Sequence, residues 1–211
     1  MNSFNKNNII NAFLRSYSVR GNGKFQSSNT MRSAKFVFEI SQELLKFSEK
    51  GNKLMVQNVT DQGEKSPGEW LFDICISDTS IISDKKGSAK VNSFLNWACE
   101  SEYHTGLKQF SVDFGKLLVV RSRNILYLNG VNQRTDSIAD YIDSRLECVC
   151  LLLKKIELNF ENLYIGFWPS PEKIDSGISQ WDLTSKEDLV SKIFCYYYNK
   201  SSNKFEICTD L

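Results

Sequence analysis

Apolar residues return along this chain at two spacings, three to four residues apart and two apart, and the change from one to the other predicts its elements. Ile9, Ile10, Phe13 and Leu14 give a short amphipathic helix after a polar start. Gly21 to Thr30 is polar and reads as a loop, and Phe36, Val37, Ile40, Leu44 and Leu45 form one face of a second helix over Ser33 to Lys50, stopped by Gly51. Lys53 to Val59 is a short strand and Asp61 to Gly68 a turn. Two apolar runs of strand length follow, Glu69 to Ile76 and Phe94 to Glu102, with Ser77 to Lys90 read as a polar loop between them. A helix over Leu107 to Arg121 packs through Phe110, Phe114, Leu117 and Leu118, and Asn124 to Asn129 is a strand. Thr135 to Asn159 is the strongest helix, because Ile138, Ile142, Leu146, Val149, Leu153 and Ile156 make a continuous stripe. Asn162 to Trp168 is a strand, Thr184 and Glu187 form a capping box, and Ile193 to Asn199 with Phe205 to Cys208 is a hairpin. Helices alternating with strands predict an α/β fold with a mixed sheet covered on both sides. The expected division is an N-terminal helix and polar loop over 1–32, then a single α/β domain with a C-terminal hairpin over 33–211.

The length of 211 residues, with 41% hydrophobic and 24% charged positions, suits one globular domain. No stretch approaches the ~18 apolar residues of a membrane helix, and the start carries no signal-like apolar run, so a cytoplasmic protein is expected. Six cysteines include no CxxC pair, and Cys148 and Cys150 diverge on a helix; with only one histidine, a Cys/His zinc site and Ser-His or Cys-His catalysis are both disfavoured. Cys75, Cys99, Cys148 and Cys150 lie in apolar runs and read as small buried hydrophobes. The net charge of +1 argues at first against a polyanion partner. It divides unevenly, however: residues 1–60 carry nine basic and three acidic groups, leaving 17 basic and 22 acidic groups in the remainder. A basic front and an acidic body suit a polyanion gripped by one part and a cation held by the other.

The informative feature is a carboxylate inside each of two apolar runs. Asp73 reads as mid-strand among Leu71, Phe72, Ile74 and Ile76, while Glu100 and Glu102, two apart, share one face and turn Cys99 and Ser101 to the other. Ionised carboxylates withdrawn from water cost several kcal/mol each (about that order) unless paired or coordinated, so a cation, a lysine or an open cleft must offset them. Gln109, Asp113 and Lys116 fall on one stripe of the following helix and could bring an ammonium to those acids; the competing reading is the wet side of a surface helix. Trp70 and Trp97 read as core, His104 as a partly exposed loop residue. Trp168 and Tyr196 to Tyr198 are either a stacking platform or an edge packed for a protein contact.

Asp73 on one strand, Glu100-Ser101-Glu102 on the next and Lys116 on the helix after it resemble the PD-(D/E)XK nuclease superfamily. The strings Gly68-Glu69-Trp70-Leu71-Phe72-Asp73 and Asp113-Phe114-Gly115-Lys116-Leu117-Leu118 also resemble a group of small bacterial proteins placed in that superfamily. Over Ser33 to Trp168, the resemblance implies a restriction-endonuclease-like mixed central sheet flanked by helices. Its leading helix, with Glu39 and Glu43, often lends another acid to the site. Two positions depart from the pattern: no proline precedes Asp73, and Glu102 stands where a lysine is usual. The implied activity is hydrolysis of phosphodiester bonds, in DNA, with Mg²⁺ or Mn²⁺ on Asp73 and Glu100. Glu102 or Lys116 would position the attacking water, and Lys24, Arg32 and Lys35 would touch the strand's backbone. A catalytically inactive nuclease-like fold, binding a protein partner or serving as a regulatory module, is the other expectation, and the oligomeric state is left open, a dimer included.

Overall fold

Seven strands hydrogen-bond side by side in the order in which the chain makes them: β1 (Lys53–Val56), β2 (Ile74–Asp84), β3 (Gly87–Glu102), β4 (Ser122–Val131), β5 (Phe160–Pro169), β6 (Phe194–Asn199) and β7 (Lys204–Ile207). The structure is a computed structural model and describes residues 4–18, 28–48, 52–56, 72–174 and 177–208. β1, β2 and β3 pair antiparallel, β3, β4 and β5 parallel, and β5, β6 and β7 antiparallel. Each parallel step needs a crossover, supplied by α3 (Leu107–Leu118) and α4 (Ile138–Leu153). The other face is covered by α1 (Lys6–Ser18) and α2 (Asn29–Leu45), and the short helices α5 (Gln180–Leu183) and α6 (Lys186–Ser191) precede β6. This is an α/β protein with an open, mixed, seven-stranded sheet and flanking helices.

The period of two along the strands sorts the apolar side chains into two layers. Ile74, Ile76, Trp97 and Cys99 pack with Phe36, Val37 and Ile40 of α2 and with Ile9 and Phe13 of α1. Cys75, Ala98, Ile125 and Tyr127 pack on the opposite face with Phe110 and Phe114 of α3 and the Ile142, Leu146 and Val149 stripe of α4. Glu100 shares its parity with Ala98 and so faces α3, whereas Ser101 shares that of Cys99 and faces α2. The end of β3 is therefore gripped from both sides, and that grip is what creates a site.

Several sequence expectations change. Ser77 to Lys90 is not a loop: β2 and β3 continue as a two-stranded ribbon to a turn at Lys85 and Lys86, where the Asp84 side chain accepts from the backbone N–H groups of Lys86 and Gly87. The ribbon carries no core-facing alternation because neither face is covered, and Ile81 and Ile82 are exposed. Asp73 does not sit mid-strand but in a bend before β2 begins at Ile74; Glu69 to Leu71 lie outside the described residues, as do Gln57 to Val59 and Trp70. The α2 helix starts at Asn29, earlier than its apolar stripe, because the Ser28 side chain accepts from Met31 N and caps it. The cap of α6 is Ser185 with Asp188, not Thr184 with Glu187. Trp97 and Trp168 are both core, and Trp168 lies flat on Phe36 at 3.9 Å, so it cannot serve as a base-stacking surface. Cys75 and Cys99 are buried as expected, but Cys148 and Cys150 are only half-buried. Cys195 of β6 and Cys208, just after β7, bring their Sγ atoms to 3.3 Å.

Candidate active site

The antiparallel pairing of β2 with β3 sets Ile74 opposite Cys99, so the bend just before β2 brings Asp73 beside Glu100 and Ser101. There the Asp73 carboxylate accepts a 2.7 Å hydrogen bond from the Ser101 backbone N–H. Glu100 is 4% exposed and faces α3, where Lys116 Nζ stands 3.3 Å from its Oε1. The same ammonium lies 2.7 Å from Asp113 Oδ1, one helical turn away. Of the stripe predicted on α3, Asp113 and Lys116 therefore turn to the acids, while Gln109 stays exposed. Phe110, Phe114 and Leu117, all fully buried on the opposite side of the helix, hold it in that rotation.

Lys116 does not by itself neutralise Glu100. Burial pushes the Glu100 carboxyl up to about 8, the neighbouring charge of Asp73 adds to the push, and Lys116 only partly opposes it. Glu102 is also raised, first by burial; the His104 N–H, 2.7 Å from its Oε1, pulls it down, and a hydrogen bond shared with Asp113 pushes it up. Burial alone would lower Lys116, but the bond to Asp113 and the charge of Glu100 outweigh it and leave the ammonium firmly protonated. His104 is fixed from its other side, with Nδ1 2.9 Å from Glu172 Oε1, and Thr105 and Asn132 donate to the second oxygen of Glu172.

Asp73, Glu100, Glu102, Asp113 and Lys116 line one wall of a cleft of about 250 Å³; Thr30, Ser33, Ala34 and Val37 of α2 line the other, with Ser101 between. The sequence reading missed Thr30 and Ser33, which are neither apolar nor charged and so left no mark in either pattern. It named Asp113 only as part of a stripe. Of the other expected residues, Lys24 lies outside the described residues. Arg32 makes a forked contact with Asp182 at 2.7 and 3.1 Å, and Lys35 pairs with Glu39 at 3.0 Å. Glu39 and Glu43 do not reach the cleft. Both turn toward α1, where Arg15 contacts Glu39 at 2.5 Å and Glu43 at 2.7 Å, and Lys46 and Asn8 also bind Glu43.

Whether this arrangement suits a divalent cation is a question of donors. Among the described residues no group of three or more His, Cys, Asp or Glu side chains is set to hold a metal ion. Hard oxygen donors from two carboxylates, Asp73 and Glu100, nevertheless match an ion that keeps several waters and takes the rest of its shell from substrate phosphate. Among the described residues, no helix is long and apolar enough to cross a membrane. No family model matches the chain, and neither the curated proteins nor the solved structures include a significant match.

Proposed function

We propose that the chain is a metal-dependent nuclease of restriction-endonuclease-like fold that hydrolyses phosphodiester bonds in DNA. The observation that carries this reading is the meeting of Asp73, Glu100, Glu102 and Lys116, from a strand entry, a strand end and a helix, in one cleft. The chain order of α2, the Asp73 bend into β2, the Glu100 and Glu102 end of β3, and α3 with Lys116 supports the sequence resemblance. Asp73 and Glu100 would hold Mg²⁺ or Mn²⁺. Bound there, such an ion supplies charge neutralisation at the phosphoryl oxygens and a water of lowered pKa.

The remaining work falls to the chain's own groups. Glu100 carries its negative charge fully only above a pH of about 8, so taking up a cation at neutral pH releases a proton from it. Lys116 stays cationic and places positive charge beside the developing oxyanion without giving up its tie to Asp113. Glu102, fixed by the His104 N–H, is the acceptor that orients the attacking water. Supercoiled plasmid DNA incubated with Mg²⁺ or Mn²⁺ should be nicked and linearised by the wild-type protein, and by neither Asp73→Ala nor Glu100→Gln. No cleavage by the wild-type protein with either ion overturns the proposal and leaves the inactive, protein-binding reading of the same fold. A parallel RNA substrate sets the preference between the two nucleic acids.

A further inference from the structure

The wall of the cleft facing the carboxylates is built unlike them. It is the first two turns of α2, a helix of 17 residues with no acidic side chain in its first turn. The opening N–H groups of a helix have no carbonyl partner within it, and the aligned peptide dipoles make that end positive. A negative oxygen is the natural occupant of such an end.

A second observation points to the same occupant. Ser33 is 8% exposed and lines the cleft, yet among the described residues its hydroxyl has no hydrogen-bond partner, not even the carbonyl one turn back. Across from it, Ser101 Oγ is buried and also lacks a partner. An unmade hydrogen bond at a buried hydroxyl is costly, and the Ser101 hydroxyl, with the unpartnered Ser33 hydroxyl on the same small cleft, marks a place where a ligand completes the set. Ala34 keeps the wall low enough for close approach. The acceptor chemistry wanted by two hydroxyls and a helix amino terminus is that of a phosphate.

We infer that the amino-terminal turns of α2, with Ser33 and Ser101, are the docking subsite for one phosphate of the substrate strand, across the cleft from Asp73 and Glu100. The inference rests on the nuclease reading for its choice of a DNA strand. A strand seated there presents a neighbouring phosphodiester to the carboxylate wall, so the hydroxyl side binds and the acidic side reacts.

The test is a fluorescence-anisotropy titration of an end-labelled DNA duplex in the presence of a chelator, which holds cleavage off, with the wild-type chain, Ser33→Ala and Thr30→Asp. Thr30 is exposed, so its variant keeps the fold while placing a carboxylate at the subsite. Ser33→Ala is expected to bind about tenfold more weakly, the size of one hydrogen bond to a charged group, and Thr30→Asp more weakly still. Wild-type affinity in both variants, with plasmid cleavage intact, overturns the subsite and leaves the nuclease reading standing. Weakened binding in both, with no cleavage by the wild-type protein under Mg²⁺ or Mn²⁺, supports the subsite and overturns the nuclease reading. Inorganic phosphate and a nucleoside monophosphate are the competitors; displacement of the duplex by either at micromolar concentration assigns the subsite to a free phosphate and overturns the choice of a strand. No binding of DNA by the wild-type chain overturns both.

Discussion

The two sides of α2 deal with buried carboxylates in opposite ways. On the α1 side, the Glu43 side chain is fully buried and accepts from Arg15 and Lys46 at 2.7 Å each and from Asn8 at 3.0 Å. In the cleft, the Glu100 side chain is 5% exposed and meets one ammonium at 3.3 Å that already serves Asp113 at 2.7 Å. Burial pushes both carboxyls up, but three donors outweigh it for Glu43, which ends lowered, whereas Glu100 ends at about 8. Burial alone does not mark a functional acid. The number of donors committed to it does, because a carboxylate whose charge is met by the fold has none to offer a ligand.

That contrast can be broken at either end. The largest expected effect on stability is at Arg15: replacing it by alanine leaves two buried carboxylates short of a partner and should cost about 3 kcal/mol in urea unfolding. A loss near zero would mean the α1 cluster is not satisfied by Arg15 at all. Lys116→Met should lower the rate of DNA cleavage by about 100-fold, as removal of a preorganised charge does, while the melting temperature moves little. Equal losses in rate and stability would make Lys116 a structural residue. Glu100→Gln should abolish cleavage and at the same time stabilise the metal-free chain at pH 8.5, by about 1–2 kcal/mol, since the amide never has to ionise in a dry setting.

The pH dependence sharpens the same comparison with a smaller effect. Glu43, lowered in the fold, contributes stability that is present above the ordinary carboxylate range and is lost as pH falls through its folded value. Glu100, raised in the fold, binds its proton more tightly folded than unfolded, so its ionisation costs nothing below about 4.5 and progressively destabilises the chain as pH rises from there to about 8. Glu43→Gln should therefore flatten the acid limb of a stability profile and Glu100→Gln the decline between about pH 4.5 and about 8. Mg²⁺ should lift the second limb and leave the first unchanged.

The acids, the lysine and the helix that carries it were legible because charge inside an apolar run breaks a pattern. Asp73, Glu100 and Glu102 stood out among Phe72, Ile74, Trp97 and Ala98 for that reason. Lys116 could be placed because the Phe110, Phe114 and Leu117 face fixed the rotation of α3. The ribbon over Thr79 to Val91 was not legible, since strands that pack against nothing need no alternation of apolar and polar residues. Nor was the α2 wall, where Thr30 and Ser33 act through hydroxyls and a helix end that composition does not reveal. Glu39 and Glu43 misled in the other direction: acids on the leading helix fitted the resemblance, but Arg15, far back in the chain, claims them.

The matching of strand order to chain order has a consequence for how the molecule comes into being. No strand has to be threaded between two that are already paired, so the sheet can grow from the β1 edge as the chain emerges. Among the described residues, every one that lines the cleft lies between Thr30 and Lys116. These lining side chains are thus synthesised before β4 to β7, and those later strands act on the pocket only as a buttress, stiffening a site to which they contribute no lining group.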